Sequence, residues 1–277
     1  MSGARPDEII LTAAIVGAEV MREQTPWVPY TADEIAAEAV RCRDAGAAVI
    51  HLHAREPDGR PTQSAERFQE AIDAIRARTD VVVQVSTGGA VGMTPEERVG
   101  PLACRPDMAT LNCGTINFGD EIFENARPVM RRIAELIQKA GVVPELELYE
   151  VGHIDNAMAL AKDGLIAAPF HVQFVLGVPG AIGARPEVLR FLVSQLPPQS
   201  TWGVAAVGRH QMPMAELAAE LGGFVRVGLE DNVYLDKGVL AEGSAPLVDR
   251  ASKLVRAKGR TPVTPTRARE ILGLPSG

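Results

Sequence analysis

The sequence predicts an α/β fold, a (β/α)8 TIM barrel, on three observations. Short apolar, β-rich runs alternate with amphipathic stretches of helical length; eight such pairs fit within 277 residues; and unusual polar residues recur where the apolar runs end. A doubly wound open sheet is the main alternative, because periodicity does not reveal whether a sheet closes.

The strand-like runs are 8–15 "EIILTAAI", 47–53 "AAVIHLH", 81–86 "VVVQVS", 107–112 "DMATLN", 143–149 "VPELELY", 170–176 "FHVQFVL", 201–207 "TWGVAAV" and 223–228 "GFVRVG". Helical patterns lie between and after them at 31–45, 64–78, 94–103, 123–140, 153–163, 185–195, 213–222 and 243–258. Thr31 followed by Glu34 reads as a capping box opening the first helix. In the second, Ala65, Phe68, Ala71, Ile72 and Ile75 recur at three- and four-residue steps, which marks one buried face. Thr94-Pro95 and Arg185-Pro186 put proline where a helix starts. No linker, low-complexity tract or charge block divides the chain, so one barrel domain over 1–277 is expected. The tail from 259 reads as a turn and a short helix, able to pack on a neighbouring subunit.

Composition bounds the function. Apolar residues make up 46% and charged residues 23%, ordinary for a soluble globular protein, and the net charge of −7 argues against nucleic acid or an anionic membrane as partner. An anionic substrate must then be held by local groups. Three cysteines without C-x-x-C spacing make a disulfide framework an unsuitable reading and fit a reducing cytoplasm. There is no signal-peptide h-region, and no apolar run approaches the ~18 residues of a membrane span.

A barrel of this kind does its chemistry at the C-terminal ends of its strands. There the sequence places Glu19 beyond strand one, His51 and His53 on strand two, "STGG" (86–89) after strand three, Thr110 and Asn112 on strand four, Glu147 on strand five, and Arg226, Glu230 and Asp231 on and after strand eight. Residues i and i+2 of a strand share a face, so His51 and His53 can converge on one cation; alternatively one of them is a hydrogen-bonded rim residue. Glu230 can supply a carboxylate and close a His2Glu set, a ligand type used by catalytic zinc. "STGGAVG" lacks the lysine of a P-loop, and its glycines instead let backbone N–H groups approach a small anion, if they are not simply required by a tight turn. Glu147 and Asp231 are the acid–base candidates, and Arg226 either orients Asp231 or belongs to an ion pair on the barrel floor. "GVPGAIG" (177–183) reads as a loop, Cys113 as a small buried residue, His171 as structural and His210 as a weaker rim candidate.

"LTAAIVGAE", "VIHLHAREPDGRPTQ", "STGGAVG", "MATLNCGTINFGD", "PELELYE", "QFVLGVPG" and "VGLEDNVYLDKGVLAE" together resemble the β-keto acid cleavage enzymes, in consistent order over nearly the whole chain. The likeness is greatest to the branch that acts in lysine fermentation. The resemblance implies a zinc-dependent barrel, commonly tetrameric, that condenses a β-keto acid with acetyl-CoA and releases acetoacetate plus a new acyl-CoA. It implies Zn2+ on His51, His53 and Glu230; substrate contacts at Glu19, Ser86, Gly89, Thr110, Asn112 and Glu147; and a catalytic Arg226 and Asp231. Asp231 is the expected base, Ser86, Thr110 and the glycine N–H groups are expected to hold the carboxylate, and Glu19 suits an amino- or trimethylammonium-bearing substrate. One departure is "GRHQMP", where His210 stands in place of that branch's tryptophan, which bears on the acyl pocket. A metal-dependent hydrolase of the amidohydrolase type and a non-catalytic barrel binding a metal or small acid are the competing readings.

Overall fold

The computed structural model describes residues 3–275; the first two residues of the chain and the last two of the tail lie outside the described residues. Eight parallel strands close into a barrel: β1 Leu11–Ala14, β2 Val49–Leu52, β3 Val82–Val85, β4 Met108–Asn112, β5 Val143–Leu148, β6 Phe170–Leu176, β7 Ser200–Ala206 and β8 Phe224–Val227. Closure settles the choice between barrel and open sheet: β8 pairs with β1, Arg226 lying opposite Thr12.

Helices surround the barrel: α1 Ala32–Ala45, α2 Ala65–Arg76, α3 Pro95–Arg98, α4 Arg127–Ala140, α5 Gly152–Lys162, α6 Pro186–Ser194, α7 Gln211–Leu221, α8 Ala245–Ala257 and α9 Pro265–Leu272. The Thr31–Glu34 capping box is formed, and Gly46 ends α1 in the left-handed conformation. Outward strand residues such as Leu11, Ile50, Leu52, Val83, Leu111, Leu146, Phe174 and Val225 join the helices in the main apolar core.

The inward positions are polar to an unusual degree. Adjacent-strand pairs run Ala14–His51, His51–Gln84, Asn112–Glu147, Glu147–Gln173 and Arg226–Thr12. A barrel interior is ordinarily filled by branched aliphatic side chains. Here buried histidine, glutamine, asparagine, glutamate and arginine occupy it, and each must be satisfied by a partner or a ligand.

Three elements differ from the expected boundaries. The run 8–15 is broken: Glu8–Ile9 leaves the barrel to pair with Thr261–Pro262. The Glu8 carboxylate is drawn there by Arg267, at 2.9 Å. The pattern 94–103 divides into α3 and a 3-10 turn over Gly100–Cys104, because Pro101 lacks an N–H and disfavours helical geometry in the residue before it. Residues 121–123 pair with Ile116–Phe118 as a hairpin, so α4 begins only at Arg127, with a proline in its first turn. The tail helix α9 packs beneath its own barrel. Val263, Ala268, Ile271, Leu272 and Leu274 cover Ile10, Ala48, Val49, Val82 and Met108. His171 fastens this floor, with Nδ1 2.7 Å from Thr201 Oγ1 and Nε2 3.0 Å from the Leu272 carbonyl. Burial pushes its imidazole below the ordinary range, which suits a neutral structural role.

Candidate active site

A cavity of about 530 Å³ opens at the C-terminal ends of the strands and is lined by His51, His53, Glu147, Arg226, Glu230 and Asp231 among others. The two histidines arrive from the end of β2, 5.3 Å apart between ring centres. Their Nε2 atoms stand 3.5 and 3.6 Å from Glu230 Oε1. One ligand atom from each of the three lies within 4.8 Å of the others, the sole such metal-capable cluster among the described residues.

Glu230 reaches this position through a turn that demands glycine. At Gly228 φ is +149, and a Cβ there would stand 2.2 Å from the Ala14 carbonyl oxygen. Gly17 likewise leaves room for Glu230, whose Cγ lies 2.7 Å from where a Cβ would be.

The donor set suits a cation. Ligand atoms about 2.1 Å from a tetrahedral ion stand roughly 3.4 Å apart, close to the separations seen. Glu230 Oε2 is buried without a partner, a costly state for a carboxylate unless something coordinates it. The cavity leaves one side of the triad open, as a catalytic rather than structural centre requires.

Arg226 is the hub of the charges. Its Nε and Nη2 donate to the two Asp231 oxygens at 3.0 Å each, its Nη1 to Glu147 at 3.2 Å and its Nη2 to Glu230 at 2.5 Å. Burial raises the Glu230 carboxyl, but Arg226 and the two imidazoles more than offset this and hold it well below the ordinary range. Burial also raises Asp231; the pull of Arg226 is partly undone by Glu230, so Asp231 stays above its ordinary value. The two adjacent carboxyls, which share one arginine, are thus shifted in opposite directions.

Another part of the lining is built on "STGG". Ser86 Oγ accepts from the Gly88 N–H at 3.0 Å, and Gly89, at φ +63, lines the cavity. Asn112 is 1% exposed, lines the cavity, and has no partner for either its amide oxygen or its nitrogen. Thr110 does not belong there. Its Oγ1 accepts from the Thr87 N–H at 3.1 Å and its carbonyl accepts from the Thr87 hydroxyl at 2.6 Å, so it braces the loop from behind and is not part of the lining. Arg98 completes the brace, donating to the Thr87 carbonyl and to Asn125 at 2.7 and 2.8 Å.

Glu19 is exposed at the cavity mouth. Its loop is held by Arg55, which donates to the carbonyls of Gly17 and Val20 at 2.7 and 2.8 Å. His210 is half-buried in the 3-10 turn Gly208–His210 and is not among the residues lining the cavity. Tyr149 and Gln84 join the site without being candidates from the sequence. Tyr149 lines the cavity, and burial holds its phenol protonated; Gln84 lies 2.7 Å from His51 Nδ1. Strand alternation past Glu147 and before Ser86 was the available signal for both.

The additional histidines that a hydrolase of the amidohydrolase type needs are not delivered. His153 Nδ1 accepts from the Tyr149 N–H at 3.2 Å, and burial lowers its pKa to about 4. His171 lies at the opposite end, on the floor.

A closed parallel barrel carries at the C-terminal ends of its strands one cavity in which a His2Glu cluster able to hold a cation meets a buried arginine–aspartate pair, the arrangement of a (β/α)8-barrel enzyme. The chain belongs to the beta-keto acid cleavage enzyme family, whose model matches residues 8–274. It is 52% identical over 270 residues to the 3-keto-5-aminohexanoate cleavage enzyme of Acetoanaerobium sticklandii, covering 97% of this chain and 99% of that one. It is 38% identical over 271 residues to the 3-oxoadipate:acetyl-CoA acetyltransferase of Cupriavidus necator, covering 96% and 95%. Among solved structures, apo ObcA superposes with a TM-score of 0.80 at 22% identity, a likeness of fold; the match covers 90% of this chain and 66% of ObcA, just under two thirds of that protein.

Proposed function

We propose that the chain is a single-domain, zinc-dependent β-keto acid cleavage enzyme that uses acetyl-CoA to convert a cationic β-keto acid into acetoacetate and a new acyl-CoA. The observation that carries this is the juxtaposition of His51, His53 and Glu230 with the Arg226–Asp231 pair in one cavity. The 52% identity to an enzyme named for 3-keto-5-aminohexanoate favours that substrate or a near analogue, and with it a place in lysine breakdown. Glu19 at the mouth supports the same choice, since a carboxylate there complements an ammonium group. Three buried free cysteines suit the cytoplasm, and no helix among the described residues is long and apolar enough to cross a membrane. A homotetramer is the assembly carried by the family likeness.

His51, His53 and Glu230 would hold the zinc ion, which when bound would supply Lewis-acid polarisation of the substrate's keto group. The substrate carboxylate is received by the Ser86 hydroxyl, the Asn112 amide and the N–H of Gly89, which fixes C2 in place. Asp231, held by two N–H donors of Arg226, takes the proton from C2. Glu147 holds Arg226 from the other side. The C2 carbanion forms a bond to the acetyl carbonyl carbon and CoA thiolate departs. CoA thiolate then adds to C3, the C2–C3 bond breaks, and the electron pair and a proton return to C2 of acetoacetate. Tyr149, Val175 and Val178 line the wall of the cavity.

The test is incubation of the zinc-loaded protein with a panel of β-keto acids and acetyl-CoA, followed by acetoacetate assay. Acetoacetate from an ammonium-bearing member supports the proposal. Its absence across the panel, with hydrolysis of simple amides or lactones, replaces the proposal with a hydrolase.

A further inference from the structure

We infer that Gln84 is a positioning residue that fixes the tautomer of His51, leaving Nε2 free for the cation, and that Glu145 sets which way the Gln84 amide faces. The inference rests on the reading of His51 as a metal ligand and extends it into the barrel interior. Gln84 lies on β3 directly opposite His51, is 0% exposed, and places Oε1 2.7 Å from His51 Nδ1.

An amide is two-faced, and the face it presents decides the chemistry of the imidazole. An oxygen at Nδ1 requires a proton on Nδ1, which leaves the Nε2 lone pair for a ligand bond. An NH2 at the same place would donate to an Nδ1 lone pair, move the proton to Nε2, and turn an N–H toward Glu230. A strand glutamine with no neighbour to choose between these faces would sample both.

Glu145 supplies the choice. It points into the barrel from β5, in register with Thr110 of β4. Gln84 Nε2 and Glu145 Oε1 are both buried, and neither has a hydrogen-bond partner in the protein, which leaves one unpaired donor and one unpaired acceptor inside the same barrel. Burial, with Glu147 adding to it, raises this carboxyl above its ordinary range, and the Gln84 amide works against that shift, as an NH2 donor does. Ionised or protonated, a carboxyl keeps an acceptor oxygen, which attracts the NH2 end of Gln84 and so turns the carbonyl end toward His51. The chain His51–Gln84–Glu145 therefore does for the metal ligand what a carboxylate or carbonyl does directly in other sites.

The experiment uses the whole chain as wild type, Gln84→Leu, Gln84→Glu and Glu145→Gln. Zinc affinity is measured by competition with a chromophoric chelator. The His51 tautomer is read in the metal-free protein by histidine 15N NMR, its signal identified by loss in His51→Asn. Wild type is expected to carry the proton on Nδ1. Gln84→Leu is expected to populate the Nε2–H form and to weaken zinc by about 10- to 100-fold, the range for outer-shell partners. Gln84→Glu keeps an acceptor at Nδ1 and is expected to hold zinc at least as well as wild type. Glu145→Gln, with an amide that can face either way, is expected to give a tautomer mixture. Unchanged affinity and tautomer in Gln84→Leu overturn the inference. Zinc loss in Gln84→Glu as large as in Gln84→Leu overturns it too, and that comparison decides the matter if the leucine variant does not fold. Failure of wild type to bind zinc overturns the metal reading instead, and the metal-free tautomer signals then decide the role of Gln84 alone.

Discussion

Asp231→Asn removes the assigned base while preserving its shape. The wild-type carboxylate accepts two N–H groups from Arg226 at 3.0 Å, and an asparagine keeps an acceptor for only one of them. The lost charge-assisted bond costs about 1.5–3 kcal/mol. Against this, the substitution ends the repulsion from Glu230 and removes a carboxyl that burial holds above its ordinary value. The net change in stability is therefore expected to stay near 1–2 kcal/mol, well within a folded protein's margin. The rate is a different matter. Loss of a positioned general base lowers turnover by about 10²- to 10⁴-fold, or roughly 3–5 kcal/mol of barrier. Two assays separate the effects: acetoacetate formation at saturating acetyl-CoA, and deuterium exchange at C2 of the β-keto acid without acetyl-CoA. Both are expected to fall together, with zinc content and melting temperature near wild type. Exchange within tenfold of wild type at full zinc occupancy would refute the assignment and move the base to Glu147.

Glu19→Gln is expected to raise KM for ammonium-bearing substrates more than for neutral ones of the same length; equal effects would remove Glu19 from substrate selection. Thr110→Val leaves the buried Thr87 N–H unpaired and is expected to cost about 1–3 kcal/mol in urea unfolding, with a raised KM as the loop loosens; loss of kcat alone would return Thr110 to the reacting centre. Burial, with the nearby Glu147 carboxylate adding to it, pushes the Glu145 carboxyl from 4.5 up to about 7. Between those pH values the unfolded chain has released a proton that the folded chain still holds, so stability falls as pH rises through the window, by as much as about 3 kcal/mol. Glu145→Gln is expected to flatten that slope in metal-free urea titrations at several pH values, and an unchanged slope contradicts the assignment.

His51, His53 and Glu230 were legible in the sequence because two-residue alternation on a strand is rigid geometry, and barrel topology brings the end of the eighth strand beside the first two. Asn112 and Ser86 were legible for the same reason. Thr110 shares the inward face with Asn112, yet lies one layer deeper, where the STGG turn folds over it and consumes its hydrogen bonds. Periodicity reports the face of a side chain and is blind to its depth. The break in the first strand is set by a carboxylate's pull toward Arg267, 259 residues distant in sequence, which no local pattern contains. The docking of α9 beneath its own barrel depends on the shape of the floor, and its apolar stripe alone fits a neighbour's surface equally well.

The fate of a labelled acetyl group tests the central proposal most directly. Acetyl-CoA carrying carbon-13 in its acetyl group is incubated with zinc-loaded protein and an ammonium-bearing β-keto acid, and both products are separated and weighed by mass spectrometry. Because the new bond joins C2 to the acetyl carbon and the bond that breaks is C2–C3, the label is expected wholly in acetoacetate, with the new acyl-CoA unlabelled. Label in the acyl-CoA, or no acetoacetate from a protein with a full complement of zinc, would contradict the proposed reaction.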